Sequence, residues 1–209
     1  MERDIKEYLD QASIVTQSAK VMARDIAKSA QACIETIARG NKIIWCGNGG
    51  SAADAQHMAA ELMGKYKKDR APLPSISLTV DTSAITAIGN DYGFEHVFSR
   101  QLMGIGDAGD LLMCISTSGN SANIVEAVKT ATDMGITTVA LTGDTGGRIA
   151  DMVNILLNVP STETNHIQEV HLKIEHMICG FIEDAFADIG RPESAGNLVA
   201  QARNTIKVA

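Results

Sequence analysis

The sequence has few of the features that mark disulfide-bonded, membrane-embedded or nucleic-acid-binding proteins. Its four cysteines are scattered through apolar segments without CxxC spacing, so buried, reduced thiols are the simplest interpretation. No apolar run approaches the roughly 20 residues that a membrane-spanning helix needs, and the first residues, MERDIKEYLDQ, form no apolar signal segment. The formal net charge of −7 disfavours nucleic acids and anionic membranes as partners. We therefore expect a cytoplasmic protein with neither partner.

The remaining pattern predicts an α/β fold. Apolar residues recur at helical spacing over residues 4–39, which predicts one long helix or two, ended by Gly40. Helical stretches separate most of the short apolar runs that predict strands, and this alternation is typical of a three-layer sandwich around a mostly parallel, five-stranded sheet. Met58, Met63, Met103 and Met113 are expected in the core. The predicted strands are residues 42–46, 75–79, 110–116, 137–142 and 154–159.

The glycine-rich stretch CGNGGSAADAQHMAAE, residues 46–61, follows the first predicted strand. Its glycines allow left-handed backbone and close approach to a ligand, and we expect Ser51 to cap the next helix, whose free amides attract anions. His57 and Glu61 stand four residues apart and therefore share a helix face. Such a pair alone is more often a solvated ion pair than a site, but here it could hold a metal or transfer a proton.

A second loop, STSGNS, follows the strand DLLMCI and precedes another helical run. The hydroxyls of Ser116, Thr117, Ser118 and Ser121 stand beside free helix amides, and Gly119 allows close approach, so the loop is interpreted as a phosphate cradle. An ordinary serine helix cap is the alternative. The sequence contains neither GxxxxGK[ST] nor GxGxxG, which excludes those nucleotide-binding motifs.

Four motifs in this order, CGNGGSAADAQH, IGNDYGFE, ISTSGNS and IQEVH, resemble the sugar isomerase (SIS) domain family over roughly residues 5–186. The resemblance implies a zinc-dependent homotetramer. Its nearest branch converts D-sedoheptulose 7-phosphate into D-glycero-D-manno-heptose 7-phosphate, the first step towards heptose for lipopolysaccharide or capsule. It also implies a single domain divided into oligomerisation helices (1–40), a sugar-phosphate-binding core (41–186) and a C-terminal tail (187–209).

The resemblance assigns site residues motif by motif. Glu61 and His176 become the acid/base pair, and a carboxylate and an imidazole can together move the protons of an enediol intermediate. The implied zinc ligands are His57, Glu61, Gln168 and His176, of which Gln is unusual, so a weak or partly occupied site is expected. The implied substrate contacts are Asn48, Gly49, Gly50, Ser51, Glu61, Asn90, Asp91, Ser116, Thr117, Ser118, Ser121 and Gln168.

Helix geometry raises a difficulty with the last motif. Gln168 and His176 are eight residues apart, which on a straight helix means about 12 Å of rise and roughly 80° of rotation. Gln168, His171 and Glu175 share a face better. Either Gln168 and His176 reach towards a metal between them, or His171 serves a neighbouring subunit's pocket.

Three positions depart from the family pattern. Lys65 and His166 stand where relatives often carry Arg, and Asn165 stands where an Asp can occur. The changes beside Gln168 could alter substrate preference or replace a cation near the phosphate.

Two other functions stay open. The same fold also serves as a non-catalytic tetrameric protein that gathers replication initiators, and as isomerases of other ketose phosphates. The presence of Glu61, a residue able to act as a base, favours an enzyme.

Overall fold

Five short segments of the described chain form one parallel sheet in the order β2-β1-β3-β4-β5. The structure, a computed structural model, describes residues 1–187, so the predicted tail from residue 188 onwards lies outside the described residues. The strands are β1 (Ile43–Gly47), β2 (Ser75–Ser77), β3 (Leu111–Ile115), β4 (Thr137–Thr142) and β5 (Ile155–Asn158). All five predicted strands are confirmed, with bounds that shift by at most two residues. β1 and β3, in the middle of the sheet, are buried along their whole length because helices cover both faces.

Within residues 1–187, seven α-helices surround this sheet. They are α1 (Glu2–Ser18), α2 (Ala23–Ala38), α3 (Gly50–Met63), α4 (Thr82–Tyr92), α5 (Val97–Ile105), α6 (Ala122–Asp133) and α7 (Thr164–Phe186). Helices α2, α3 and α7 pack on one face, where Trp45 lies in the core, and α4, α5 and α6 pack on the other, where Ile44 and Cys46 lie. The three-layer sandwich is therefore confirmed.

The N-terminal helical pattern is two helices rather than one. A 3-10 turn, Ala19–Met22, separates α1 from α2, and Gly40 follows the end of α2 with φ 89°. Helix α2 contributes Ile26, Cys33 and Ile37 to the core, whereas α1 buries no residue. Ile5, Leu9 and Ile14 of α1 consequently remain exposed in the described chain, whereas Val15 is partly buried against the core.

Burial follows the sequence pattern for the cysteines and only partly for the methionines. All four cysteines are free and buried, as expected. Met58 and Met113 are fully buried, but Met63 and Met103 are 53% and 55% exposed, so their assignment to the core was wrong. Within residues 1–187, none of the helices combines the length and apolar character of a membrane span.

The chain order brings the two informative loops together. β1 is flanked by β2 on one side and β3 on the other, so the chain reverses its direction of winding between β1 and β3. Parallel sheets bind ligands at such a switch point, beyond the carboxyl ends of the strands. The glycine-rich turn after β1 and the serine loop after β3 both lie there.

Candidate active site

The turn after β1 depends on glycine for two steric reasons. A Cβ on Gly47 would lie 2.4 Å from the carbonyl oxygen of Ser51, and Gly49 has a positive φ of 57°. Helix α3 begins at Gly50, with Gly49 as its N-cap residue and no side-chain cap. The prediction that Ser51 caps this helix was therefore wrong, because the N-cap is Gly49, with its positive φ, and the helix starts two residues earlier than a Ser51 cap would place it. Ser51 lies inside the first turn and is buried.

The serine loop after β3 places its hydroxyls at the start of α6. Ser121 occupies the N-cap position of α6, yet its side chain makes no capping hydrogen bond. Its Oγ makes only a long contact of 3.4 Å with the Oγ of Ser116. Since this contact is weak, the hydroxyl remains available for a ligand. Gly119 has φ 63°, and a Cβ there would lie 2.0 Å from the carbonyl oxygen of Gly146. The loop is therefore packed tightly against the backbone that follows β4.

A pair of asparagines joins the two loops. Asn48 donates to Oδ1 of Asn123 at 2.9 Å, and Asn123 donates back to Oδ1 of Asn48 at 2.8 Å. Asn123 is buried in the first turn of α6; sequence reasoning missed it, since its partner is 75 residues away. A cavity of about 480 Å³, here called the loop cleft, lies beside this pair. It is lined by Asn48, Gly49, Phe94, Glu95, Ser121, Ala122 and Asn123.

The histidine–glutamate cluster comprises His57, Glu61 and His176. Nε2 of His57 lies 3.0 Å from Oε1 of Glu61, and the His57 and His176 rings meet edge to face with centroids 5.1 Å apart. One possible ligand atom from each residue falls within 4.8 Å of the others. Two imidazoles and a carboxylate are ordinary zinc ligands, so this donor set fits the implied metal.

Gln168, on α7, lies against the first turn of α3, the helix that carries His57 and Glu61. Its Nε2 donates to Oδ2 of Asp54 at 3.3 Å, and its amide group covers Gly50 so closely that a Cβ there would lie 2.0 Å from Nε2. Burial raises the pKa of Asp54, while the Gln168 amide and the neighbouring His57 and His176 counteract that rise. Asp54 thus links Gln168 to the helix face that carries His57.

His171 and Glu175 point into the core. His171 is fully buried, and its Nε2 lies 3.0 Å from the carbonyl oxygen of Thr142. Burial lowers its pKa to about 4. Burial, with a smaller contribution from Asp54, raises the pKa of the fully buried Glu175 to about 8. The alternative in which His171 reaches a neighbouring subunit's pocket was wrong, because its ring has no exposed surface.

The other predicted residues lie at the margins of the site. Asn90 and Asp91 form the exposed end of α4, where Nδ2 of Asn90 donates to Oδ1 of Asp91 at 2.7 Å, and neither lines the loop cleft. Asn165 donates to the hydroxyl of Tyr8 at 2.9 Å, and the His166 ring lies 4.8 Å from the Tyr8 ring. Asn165 and His166, the two residues that differ from the family pattern here, therefore connect α7 to α1.

Comparisons with known proteins agree with this geometry. The SIS domain family model matches residues 7–143. A phosphoheptose isomerase of Aliarcobacter butzleri is 51% identical over 180 residues, covering 86% of this chain and 95% of the relative. One from Rhodospirillum rubrum is 46% identical over 185 residues, covering 88% and 98%. The solved phosphoheptose isomerase GmhA from Neisseria gonorrhoeae superposes with a TM-score of 0.83 at 45% identity, covering 88% of this chain and 98% of that one. This chain belongs to the SIS domain family and, within it, to the phosphoheptose isomerases.

Proposed function

We propose that this enzyme converts D-sedoheptulose 7-phosphate into D-glycero-D-manno-heptose 7-phosphate through an enediol intermediate. The observation that carries this proposal is the histidine–glutamate cluster, found in a chain 51% identical to a phosphoheptose isomerase. An aldose–ketose isomerase needs a base beside the substrate carbonyl and a second group that moves protons between oxygens. Glu61 and His176 supply a carboxylate and an imidazole within one small volume.

The two loops at the switch point hold the substrate in this proposal. The hydroxyls of Ser116, Thr117, Ser118 and Ser121 and the amides at the start of α6 bind the phosphate, because free helix amides and hydroxyls favour an anion. Asn48, Gly49, Gly50 and Ser51 bind the sugar chain beside the loop cleft. Asn90 and Asp91, at the end of α4, contribute contacts from the adjacent helix.

Proton transfer falls to residues of α3 and α7. Glu61 removes the proton bound to carbon beside the carbonyl of the open-chain sugar. His176 then moves a proton between the two oxygens, and Glu61 returns its proton to the neighbouring carbon, which yields the aldose. Both residues are only partly exposed, which limits exchange with water during the reaction.

Zinc is the metal we propose for this site, with His57, Glu61, Gln168 and His176 as its ligands. When bound, zinc would supply Lewis-acid polarisation of the sugar carbonyl. The ordinary zinc-ligand chemistry of the three clustered side chains supports this assignment. Gln168 is the weakest donor of the set, in keeping with partial occupancy.

We further propose a homotetrameric, cytoplasmic enzyme at the first step of heptose precursor synthesis for lipopolysaccharide or capsule. Exposed apolar side chains on α1, namely Ile5, Leu9 and Ile14, support assembly through the N-terminal helices, since apolar surfaces of this kind mark interaction sites. Four buried free thiols suit a reducing compartment. Residues 1–40 are then the oligomerisation helices, and residues 41–186 are the catalytic core.

The alternative functions are not favoured. The similar proteins reported above are named as phosphoheptose isomerases. Glu61, a carboxylate able to act as a base, lies 3.0 Å from His57, which supports an enzyme. A non-catalytic protein would have no need to maintain this cluster.

A proton NMR assay with a panel of ketose phosphates tests the proposed reaction. Purified, zinc-loaded protein is incubated with sedoheptulose 7-phosphate, and separately with pentulose and hexulose phosphates of the same concentration. We expect anomeric signals of the heptose 7-phosphate from the first substrate at a far higher rate than from the others. Preference for a shorter ketose phosphate would refute the assigned substrate, and the absence of turnover with every member of the panel would refute the isomerase itself.

A further inference from the structure

The segment between α3 and β2, residues 64–74, is held by a buried arginine. The Arg70 side chain has no exposed surface. Its guanidinium donates to the carbonyl oxygens of Glu61 and Leu62, both at 2.8 Å, and of Gly64 at 3.2 Å. The last carbonyls of a helix have no partners within the helix. Arg70 therefore caps the end of α3 at the residue that carries the proposed base.

A buried glutamate from α7 holds the same segment from the other side. Glu183 accepts hydrogen bonds from the backbone amides of Tyr66, Lys67 and Lys68, at 2.9, 2.7 and 2.9 Å. Its Oε1 also lies 3.3 Å from Nε of Arg70. Burial tends to raise the pKa of Glu183, but the three amides and Arg70 outweigh it, so the pKa lies below its ordinary value. A charged carboxylate at this point fixes the backbone of Tyr66 relative to α7.

The ring of Tyr66 lies on the imidazole of His176. The two ring centroids are 5.4 Å apart and the planes differ by 23°. Gly180, one turn after His176, lies against this ring, since a Cβ at Gly180 would make an ordinary contact of 3.5 Å with Cε1 of Tyr66. A flat ring stacked on the imidazole restricts rotation of the His176 side chain.

We propose that Tyr66 is a positioning residue for His176, and that the buried Arg70–Glu183 pair holds Tyr66 in place. The pair joins the end of α3, which carries Glu61, to Glu183 on α7, about two turns after His176. The two proton-transfer groups thereby keep a fixed separation although they belong to different helices. This inference rests on the isomerase function proposed above. Small misplacements of reacting groups cost large factors in rate, so the effect should appear in kcat.

Replacing Tyr66 by Leu and by Phe tests the stack directly. Leu removes the ring, whereas Phe keeps it and removes only the hydroxyl. We expect kcat of the Leu variant to fall by about tenfold or more, with KM within about twofold of wild type, because Tyr66 does not line the loop cleft. The Phe variant should recover most of kcat. A Leu variant with wild-type kcat, or a Phe variant as impaired as Leu, would overturn the proposal.

Histidine NMR provides a reading that does not depend on turnover. With five histidines in the chain, a ¹H–¹³C spectrum of histidine-labelled protein is simple, and the His176→Gln variant assigns the His176 signals. The ring current of Tyr66 should shift these signals in wild type and in Tyr66→Phe but not in Tyr66→Leu. Unchanged His176 signals in Tyr66→Leu would overturn the stack. Absence of turnover in wild type would refute the proposed function, whereas turnover unaffected by Tyr66→Leu would refute only the positioning role.

Gly180 offers a second test that leaves Tyr66 in place. Ala at this position brings its Cβ to an ordinary contact of 3.5 Å from the tyrosine ring, so Gly180→Ala is the matched control. The branched side chain of Gly180→Val should displace the ring and lower kcat as Tyr66→Leu does. Equal kcat in the two Gly180 variants would contradict the proposed role of the stack.

Discussion

Replacing Gly50 by Ala should separate metal binding from folding. The new Cβ would lie 2.0 Å from Nε2 of Gln168 and 2.8 Å from its Cδ and Oε1. The amide must therefore move by about 1.5 Å to reach ordinary van der Waals distance. The three nearest atoms all belong to the end of one flexible side chain, so the backbone can remain in place. The change should displace Gln168 while leaving the fold intact.

The expected cost in stability is small. Displacing Gln168 breaks its 3.3 Å hydrogen bond to Asp54, a loss of about 1 kcal/mol. Ala in place of Gly within a helix contributes up to about 1 kcal/mol in the opposite direction. The free energy of unfolding should therefore change by less than about 1 kcal/mol, whereas affinity for zinc should fall by about tenfold or more because ligand orientation is lost.

Competition with a chromogenic chelator measures zinc affinity, and urea denaturation of the metal-free protein measures stability. Gly104→Ala is the matched control, because Gly104 also lies in a helix and a Cβ there meets nothing within 4 Å. Wild-type zinc affinity in Gly50→Ala would refute the assignment of Gln168 as a ligand. A large loss of stability would show instead that the amide cannot move as described.

Three further outcomes follow from the same geometry. Ser121→Ala should raise KM by about tenfold with little change in kcat, since one hydrogen bond to a charged phosphate is worth about 1.5–3 kcal/mol; steady-state kinetics would contradict this if KM were unchanged. Burial lowers the pKa of His171 to about 4 in the folded state, whereas it is about 6.5 in the unfolded state. The resulting stability is fully present above pH 6.5 and is lost as the pH falls towards 4, because only the unfolded state takes up the proton. Urea denaturation should therefore show that the free energy of unfolding falls between pH 7 and pH 4.5 by about 2.5 kcal/mol more in wild type than in His171→Gln. Equal decreases in the two proteins would refute this role of His171. Leu9→Glu should shift the oligomer towards smaller species in light scattering, because a charge replaces an exposed apolar side chain of α1, and an unchanged mass would contradict assembly through this helix.

The strands could be predicted from sequence because each is a short apolar run bounded by turn residues. The pairing of His57 with Glu61 could also be predicted, since a spacing of four fixes their shared helix face. Predictions from local residue preferences were wrong where the backbone adopts a rarer conformation. Gly49 has a positive φ, and the helix therefore starts before Ser51. The exposure of Met63 and Met103 depends on which helix face meets the sheet, which composition does not specify.

Contacts between segments that are far apart in the chain could not be predicted from the sequence. His176 joins His57 and Glu61 only because α3 and α7 pack side by side on one face of the sheet, and the family resemblance, rather than spacing, identified it. The Arg70–Glu183 pair and the Asn48–Asn123 pair gave no local signal at all. Their partners are 113 and 75 residues apart, and a basic segment such as GKYKKDR is typical of solvated surface.

The central claim, that Glu61 is the base of an isomerase, is tested most directly by Glu61→Gln in deuterium oxide. Wild-type and variant proteins, both zinc-loaded, are incubated with sedoheptulose 7-phosphate and followed by proton NMR. The control is Glu126→Gln, since Glu126 is a partly exposed glutamate paired with Lys129. We expect heptose 7-phosphate signals from wild type and from the control, and none from Glu61→Gln at unchanged thermal stability. Undiminished turnover in Glu61→Gln would contradict the assignment.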